Sequence, residues 1–335
     1  MLTAIVLLLF SAGAIYVACE YFVNGVEWVG RKAGVGQTAV GSILAAFGTA
    51  LPESVVTLVA VAFGHDAASK DIGVGAALGG PLVLSTVAYA VVGLSILATS
   101  RRTGSTVLTL NRERLGRDQS WFLVIFVFKI ALGLVAFAIK PLLGIAFLLA
   151  YALYLWGEMR HKDQDDGFEL EPLKLRPKDA DPSFLWAGVQ TTLALLAIFA
   201  ASQLFVGQLE HLGPWLGIPP SLVALLLSPI ATELPETMNA IIWVRQGKQK
   251  LALANISGAM MIQATIPSAL GMFFTPWLFD AGLILAGAVT LVSVLGLFLL
   301  MRSNRLDARR LSCFGLLYLV FVAGVVVLRH CGMMN

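Results

Sequence analysis

The sequence predicts an all-α membrane protein of about ten transmembrane helices, arranged as two inverted five-helix repeats. Three observations predict it. Of 335 residues, 58% are hydrophobic and only 13% charged, with a mean hydropathy of +0.84, whereas soluble domains are about half apolar and a quarter charged. The apolar residues fall in ten segments near the ~20 residues that span a bilayer. And the core T-x-L-P-E occurs twice, in FGTALPESV (Phe47 to Val55) and in SPIATELPETM (Ser228 to Met238).

The ten segments, in order, are 3–29, 37–64, 72–99, 120–139, 141–158, 184–208, 219–244, 250–274, 278–301 and 308–330. The first has no basic stretch before it and no clear small-residue cleavage site after it, so it is expected to be a membrane helix rather than a signal peptide. The second and seventh carry the repeated core. Between the fifth and sixth lies 159–183, rich in proline and in both charge signs, which is expected to be a solvated cytoplasmic linker. The chain thus divides into a first repeat at 1–158, the linker, and a second repeat at 184–335.

Charge placement orients this layout. Of the 23 Lys and Arg, 19 lie in the loops after segments 1, 3, 5, 7 and 9 or at the segment ends that border them; Lys70, Lys140 and Arg329 lie on the other side and Lys129 lies within segment 4. Basic loops remain cytoplasmic, so both termini are expected outside, in a plasma (inner) membrane. Five helices per half then force the two halves into opposite orientations. Inverted repeats with interrupted helices at matching positions are the design of secondary transporters, which bind substrate near the midplane. A monomer suffices for it.

The net charge of +3, with no basic patch among exposed aromatics, offers no nucleic-acid surface. Cys19, Cys313 and Cys331 are far apart without C-x-x-C spacing and are expected to be small apolar residues. There is no H-E-x-x-H and no Ser/His pairing at membrane depth, so no enzyme and no organic cofactor are expected. A channel-like or non-transporting membrane component is the alternative class; a closed carboxylate site suits fast conduction poorly.

In each core the proline withholds a backbone N–H and frees carbonyl oxygens near Thr49 and Thr232. In lipid those oxygens need a partner. Thr49 and Glu53 are four apart, as are Thr232 and Glu236, so each pair shares a helix face. A carboxylate at membrane depth costs several kcal/mol without a counter-charge. Lys129, expected to snorkel or to pair with a carboxylate, cannot alone neutralise Glu53, Glu236 and Glu233. A bound cation is the better counter-charge. The third segments, DIGVGAALGGPLVLS and LALANISGAMMIQAT, add Gly75, Gly79 and Gly80 against Ala254, Gly258 and Ala259, expected mainly to allow close packing. Glu20, Asn24, Glu27, Asn239 and Asn255 are expected to hydrogen-bond between helices.

The paired segments, 47–85 and 228–265, resemble the two alpha-repeats of the cation/calcium exchanger superfamily, which includes the sodium/calcium exchangers. The family pattern is roughly G-T-S-x-P-E, followed on the next helix by G-S-x-x-x-N or G-S-x-x-x-D. The resemblance implies antiport by alternating access, with gating helices sliding past a core of helices 2, 3, 7 and 8. It implies a metal site of Glu53 and Glu236 with main-chain oxygens at Thr49 and Thr232, and calcium exchanged for sodium or protons as the transported ions. Manganese, magnesium or a monovalent ion are the alternatives for a divergent member.

The departures are specific. The serine after each threonine is Ala50 and Glu233; the serine after the third-helix glycine is Gly80 and Ala259; the polar residue four further on is Leu84 and Gln263. Oxygens expected for sodium are missing, and one carboxylate is added. Calcium takes 6–8 oxygens; two glutamates and two threonine carbonyls approach that, and Gln263 or water can add another. Glu233 is a candidate for proton coupling, because desolvation and a neighbouring carboxylate both favour the protonated form.

Overall fold

The computed structural model describes residues 2–34, 39–63, 67–103, 112–137, 139–160, 170–215, 226, 229, 232–303 and 305–333. A few helical side chains, those of Leu51, Pro52 and Glu53 among them, fall outside the description. The described secondary structure is helical throughout. Helix α1 is Leu2–Lys32; α2 is Ala46–Leu58, flanked by π-type segments Val40–Ala45 and Val59–Phe63; α3 is Ala67–Val83, which runs through a π-type segment Leu84–Ala88 into α4, Tyr89–Thr103. Helix α5, Arg112–Gly133, leads through a short 3₁₀ turn, Lys140–Leu142, into α6, Leu143–Arg160. The second half holds α7 (Phe184–Trp215), α8 (Leu234–Arg245), α9 (Gln249–Phe274), α10 (Ala281–Arg302), α11 (Ala308–Cys313) and α12 (Gly315–His330).

Seven described helical stretches are long and apolar enough to cross a membrane, and α2, α5 and α8 fall on the other three apolar segments of the sequence. At about 1.5 Å per residue the 26 residues of α9 exceed the ~30 Å hydrocarbon core. Most of α9 is buried, 83% of its most apolar window, against 22–28% for α1, α6, α7 and α12. So α9 is the central post and those four form the rim. Leu9, Phe10, Val124, Leu185, Leu193 and Leu319 are exposed on the rim and core-flanking helices, as lipid contact requires.

Close packing on α9 rests on Gly258. A Cβ there would come within 2.1 Å of the Ser42 carbonyl oxygen, so the backbone before α2 touches the backbone of α9 directly. Around this contact Tyr89, Gln119 and Ser257 join α4, α5 and α9: the Gln119 amide donates to the Tyr89 hydroxyl at 2.9 Å and to Ser257 at 3.2 Å. Nearby, buried Glu158 accepts from Arg114 Nε at 2.8 Å, from Arg117, and from the Ser42 hydroxyl at 3.2 Å. That explains why α5 begins at Arg112 rather than at 120. Its polar first turns are satisfied inside the protein, so the helix starts before the apolar run does. It also ends earlier, at Gly133, where Phe279 packs against the absent side chain and donates its N–H to the Gly133 carbonyl at 3.0 Å.

The two T-x-L-P-E cores fold differently. Pro52 lies within continuous helix, with wider π-type turns on both sides, whereas Pro235 opens α8 after a non-helical Glu233. At a helix start the missing N–H has no partner to lose. The expectation of two equally broken helices is therefore met only in the second half.

Part of the linker is docked rather than solvated. Leu173 is buried against Trp28 and Ala187. Asn24 donates to the Glu171 and Pro172 carbonyls at 3.4 and 3.3 Å, and accepts from the Lys174 N–H at 3.0 Å and from the Gln190 amide at 2.8 Å. Lys32 binds Asp181 at 2.5 Å, which holds that exposed carboxyl below its usual range. The charged composition hid one apolar anchor, Leu173. Residues 161–169 lie outside the described residues.

Candidate functional site

The acidic residues of the second core are deep inside. Glu233 is 0% exposed and Glu236 1% exposed. Glu233 precedes α8 as its capping residue, and its N–H donates to the Pro229 carbonyl at 3.1 Å. Its own carbonyl accepts from the Thr237 N–H at 3.1 Å and hydroxyl at 2.9 Å. These bonds fix the backbone, so the side chain is aimed by the start of the helix. Glu236 stands in the first turn of α8, where the helix dipole favours negative charge. Its carbonyl accepts from the Asn255 amide of α9 at 3.3 Å, and Cys19 of α1 points its thiol at the Pro235 carbonyl, 3.8 Å away.

Gln263 of α9 completes this side. Its Nε2 donates to Glu233 Oε1 at 2.6 Å. A Cβ on Gly80 of α3 would lie 2.5 Å from Gln263 Oε1 and 2.9 Å from Glu233 Oε1. Gly80, where the family pattern has serine, thus leaves the room that the Glu233–Gln263 pair fills. The two departures from the pattern are one packing solution.

Thr232 is half-buried, with its hydroxyl donating to the Pro229 carbonyl at 3.2 Å. Thr49 is buried in α2, with its hydroxyl bonded to the Ala45 carbonyl at 3.0 Å. Glu53 stands one turn further along the same helix; its side chain lies outside the described residues. The structure thus brings Glu233, Gln263 and Gly80 together, and sets Glu236 one turn from Glu233. Among the described residues no group of three His, Cys, Asp or Glu side chains converges.

Two further polar groups point inward from these helices. Asn239, three residues after Glu236, is fully buried, and neither end of its amide has a hydrogen-bond partner among the described residues. The same holds for the Thr57 hydroxyl, four residues after Glu53. Thr57 was missed in the sequence; its signal was the four-residue spacing Thr49, Glu53, Thr57. Glu27, expected to bond between helices, does so: it accepts from the Trp243 indole at 2.7 Å and from Lys248 at 2.5 Å. Lys129 does not snorkel. It is 0% exposed, and its ammonium donates to the Ala77 carbonyl at 2.6 Å.

An all-helical membrane bundle with two carboxylates buried in its interior is the setting in which a membrane cation transporter works. The chain belongs to the sodium/calcium exchanger protein family, whose sequence profile matches residues 3–159 and 186–327. Among its relatives, CaxA of Alkalimonas amylolytica, which bears an antiporter's name, is 27% identical over 289 residues, 84% of this chain and 81% of that one. The inner membrane protein YrbG of Escherichia coli K12 is 25% identical over 285 residues, 82% and 81% of the two chains. The fold is shared with the sodium-calcium exchanger NCX_Mj soaked with 2.5 mM Na+ and 0.1 mM Ca2+. The TM-score is 0.75 at 19% identity, over 96% of this chain and 98% of that one.

Proposed function

We propose that this protein is a secondary active antiporter that exchanges a divalent cation, calcium, for sodium or protons by alternating access. The observation that carries the reading is the pair Glu233 and Glu236, both buried at the start of α8 in the interior of a membrane bundle. Charge held there calls for a cation. In this reading Glu53 and Glu236 ligate the ion, with oxygens at Thr49 and Thr232. Gln263, whose amide N–H is donated to Glu233, offers its amide oxygen as a further ligand. Glu233 supplies the third carboxylate and takes up the returning proton.

The two halves act as inverted repeats, and the paired first helices, α1 and α7, act as the sliding gate. Helices α1 and α7 pack closely along their length; a Cβ on Gly25 would lie 2.6 Å from the Thr191 hydroxyl. The excess of basic residues in the loops on one side supports a topology with both termini outside. Lys140 does not weaken that assignment, because its ammonium is buried and caps the Val135, Pro276 and Trp277 carbonyls at 2.5, 2.9 and 2.9 Å.

The test is calcium flux in proteoliposomes of the purified chain, with the sodium and proton gradients varied one at a time. Exchange requires saturable uptake that depends on an opposing counter-ion gradient. Uptake that neither saturates nor responds to either gradient would identify a channel instead.

A further inference from the structure

Two of the bundle's carbonyls are released by prolines. Pro81 lies inside α3 and has no N–H for the carbonyl of Ala77, four residues earlier. Pro267 lies inside α9 and likewise has none for the carbonyl of Gln263, four residues earlier. The same group meets both. The Lys129 ammonium, carried by α5, is 2.6 Å from the Ala77 oxygen and 3.4 Å from the Gln263 oxygen.

The rest of the surroundings also suit a cation. The ammonium lies 5.2 Å from the centre of the Phe126 ring and 5.9 Å from that of Trp277, within the range of attraction to an aromatic face. Trp277 is held there with φ of 49°, a left-handed backbone that a bulky residue seldom adopts. Its N–H is tied to the Thr275 hydroxyl at 3.1 Å, and its indole reaches the Lys129 carbonyl at 3.4 Å. Carbonyl oxygens freed from helices are what carriers offer to monovalent ions. Here the position is already filled by a side chain.

We propose that Lys129 is a resident cation, occupying a monovalent-cation position between α3 and α9 that the prolines at 81 and 267 create. The ammonium links the third helices of the two halves. It also fixes Gln263 from the backbone side, while that residue's amide holds Glu233. For transport, this rests on the exchanger reading: a charge that never leaves replaces one counter-ion in each cycle. The position itself does not depend on that reading.

The test uses the purified full chain in detergent, calcium-free, in choline, sodium or potassium chloride at equal ionic strength, with the unfolding midpoint as readout. Lys129→Ala opens the position; Lys129→Met fills the space without charge. Both variants should melt several degrees below the wild type in choline. Sodium or potassium should restore part of the loss in Lys129→Ala and none in Lys129→Met. Equal losses in all three salts for Lys129→Ala, or wild-type stability in choline, would overturn the proposal. Should neither single variant fold, adding Pro81→Ala to Lys129→Met supplies an N–H to the Ala77 carbonyl and must recover folded protein; no recovery also overturns it. In proteoliposomes, Lys129→Ala should show a sodium Hill coefficient higher by one than the wild type. Salt-restored stability in Lys129→Ala, alongside a wild type that exchanges no ions, would sink the exchanger reading and leave the cation position standing.

Discussion

Gly80→Ser restores the residue that the exchanger pattern carries at this point of the third helix, and the structure predicts that it damages the site. Its Cβ would sit 2.5 Å from Gln263 Oε1, 2.8 Å from Gln263 Cδ and 2.9 Å from Glu233 Oε1. All three separations are shorter than a packed Cβ tolerates. Gln263 and Glu233 are 1% and 0% exposed, so neither can swing into solvent. Overpacking of a tight interior costs about 1–3 kcal/mol. If the 2.6 Å Gln263–Glu233 bond breaks, a hydrogen bond to a charged group, about 1.5–3 kcal/mol, is lost as well. If about 1.5–3 kcal/mol of this falls on the ion-bound form, divalent affinity drops about ten- to hundred-fold, since about 1.4 kcal/mol is a factor of ten. The assay is calcium titration of the purified protein, with the unfolding midpoint measured alongside. Shortening the neighbour should relieve the crowding, so Gly80→Ser with Gln263→Ala should lose less than the sum of the two single losses. Wild-type affinity and stability in Gly80→Ser, or strictly additive losses, would refute the packing of Gly80 against this pair as the reason for the substitution.

Two other outcomes follow from the same account. Divalent uptake should fall as pH falls, because protonated carboxylates do not ligate, and Glu233→Gln should flatten that dependence while keeping some uptake; a wild type driven by sodium alone, indifferent to a pH gradient, would remove Glu233 from the coupling step. Single cysteines placed in a Cys-free chain should be labelled from outside at the termini and from the cytoplasm at 170–181; outside labelling of that stretch would reverse the topology.

Much of the architecture is legible in the sequence because lipid imposes a length on apolar runs. The runs at 3–29, 250–274 and 278–301 became α1, α9 and α10 with small shifts at their ends. The α5 boundaries were displaced because hydropathy sees Arg114, Asp118 and Gln119 as solvent-seeking, whereas the structure buries all three among Glu158, Tyr89 and Ser257. Leu173 was hidden for the opposite reason, as one apolar anchor inside a charged stretch. At the site, the spacing of Thr232, Glu233 and Glu236 was readable because a proline and carboxylates in an apolar run have few other uses. The place of Gly80 was not, since the room it leaves is taken by residues 153 and 183 positions away. Nor was the role of Lys129. The prolines at 81 and 267 mark the carbonyls that need a donor, but only the packing of α5 against α3 and α9 shows which donor arrives.

The central claim is that two carboxylates, one from each half, hold a divalent ion inside the bundle, and calcium binding to the purified protein tests it most directly. Calorimetric titration should show saturable binding to the wild type, with Glu53→Gln and Glu236→Gln each folded to the same unfolding midpoint or higher and each without measurable binding, because the amide keeps the shape and removes the charge. Undiminished calcium binding in either variant would contradict the claim and make that glutamate a structural residue.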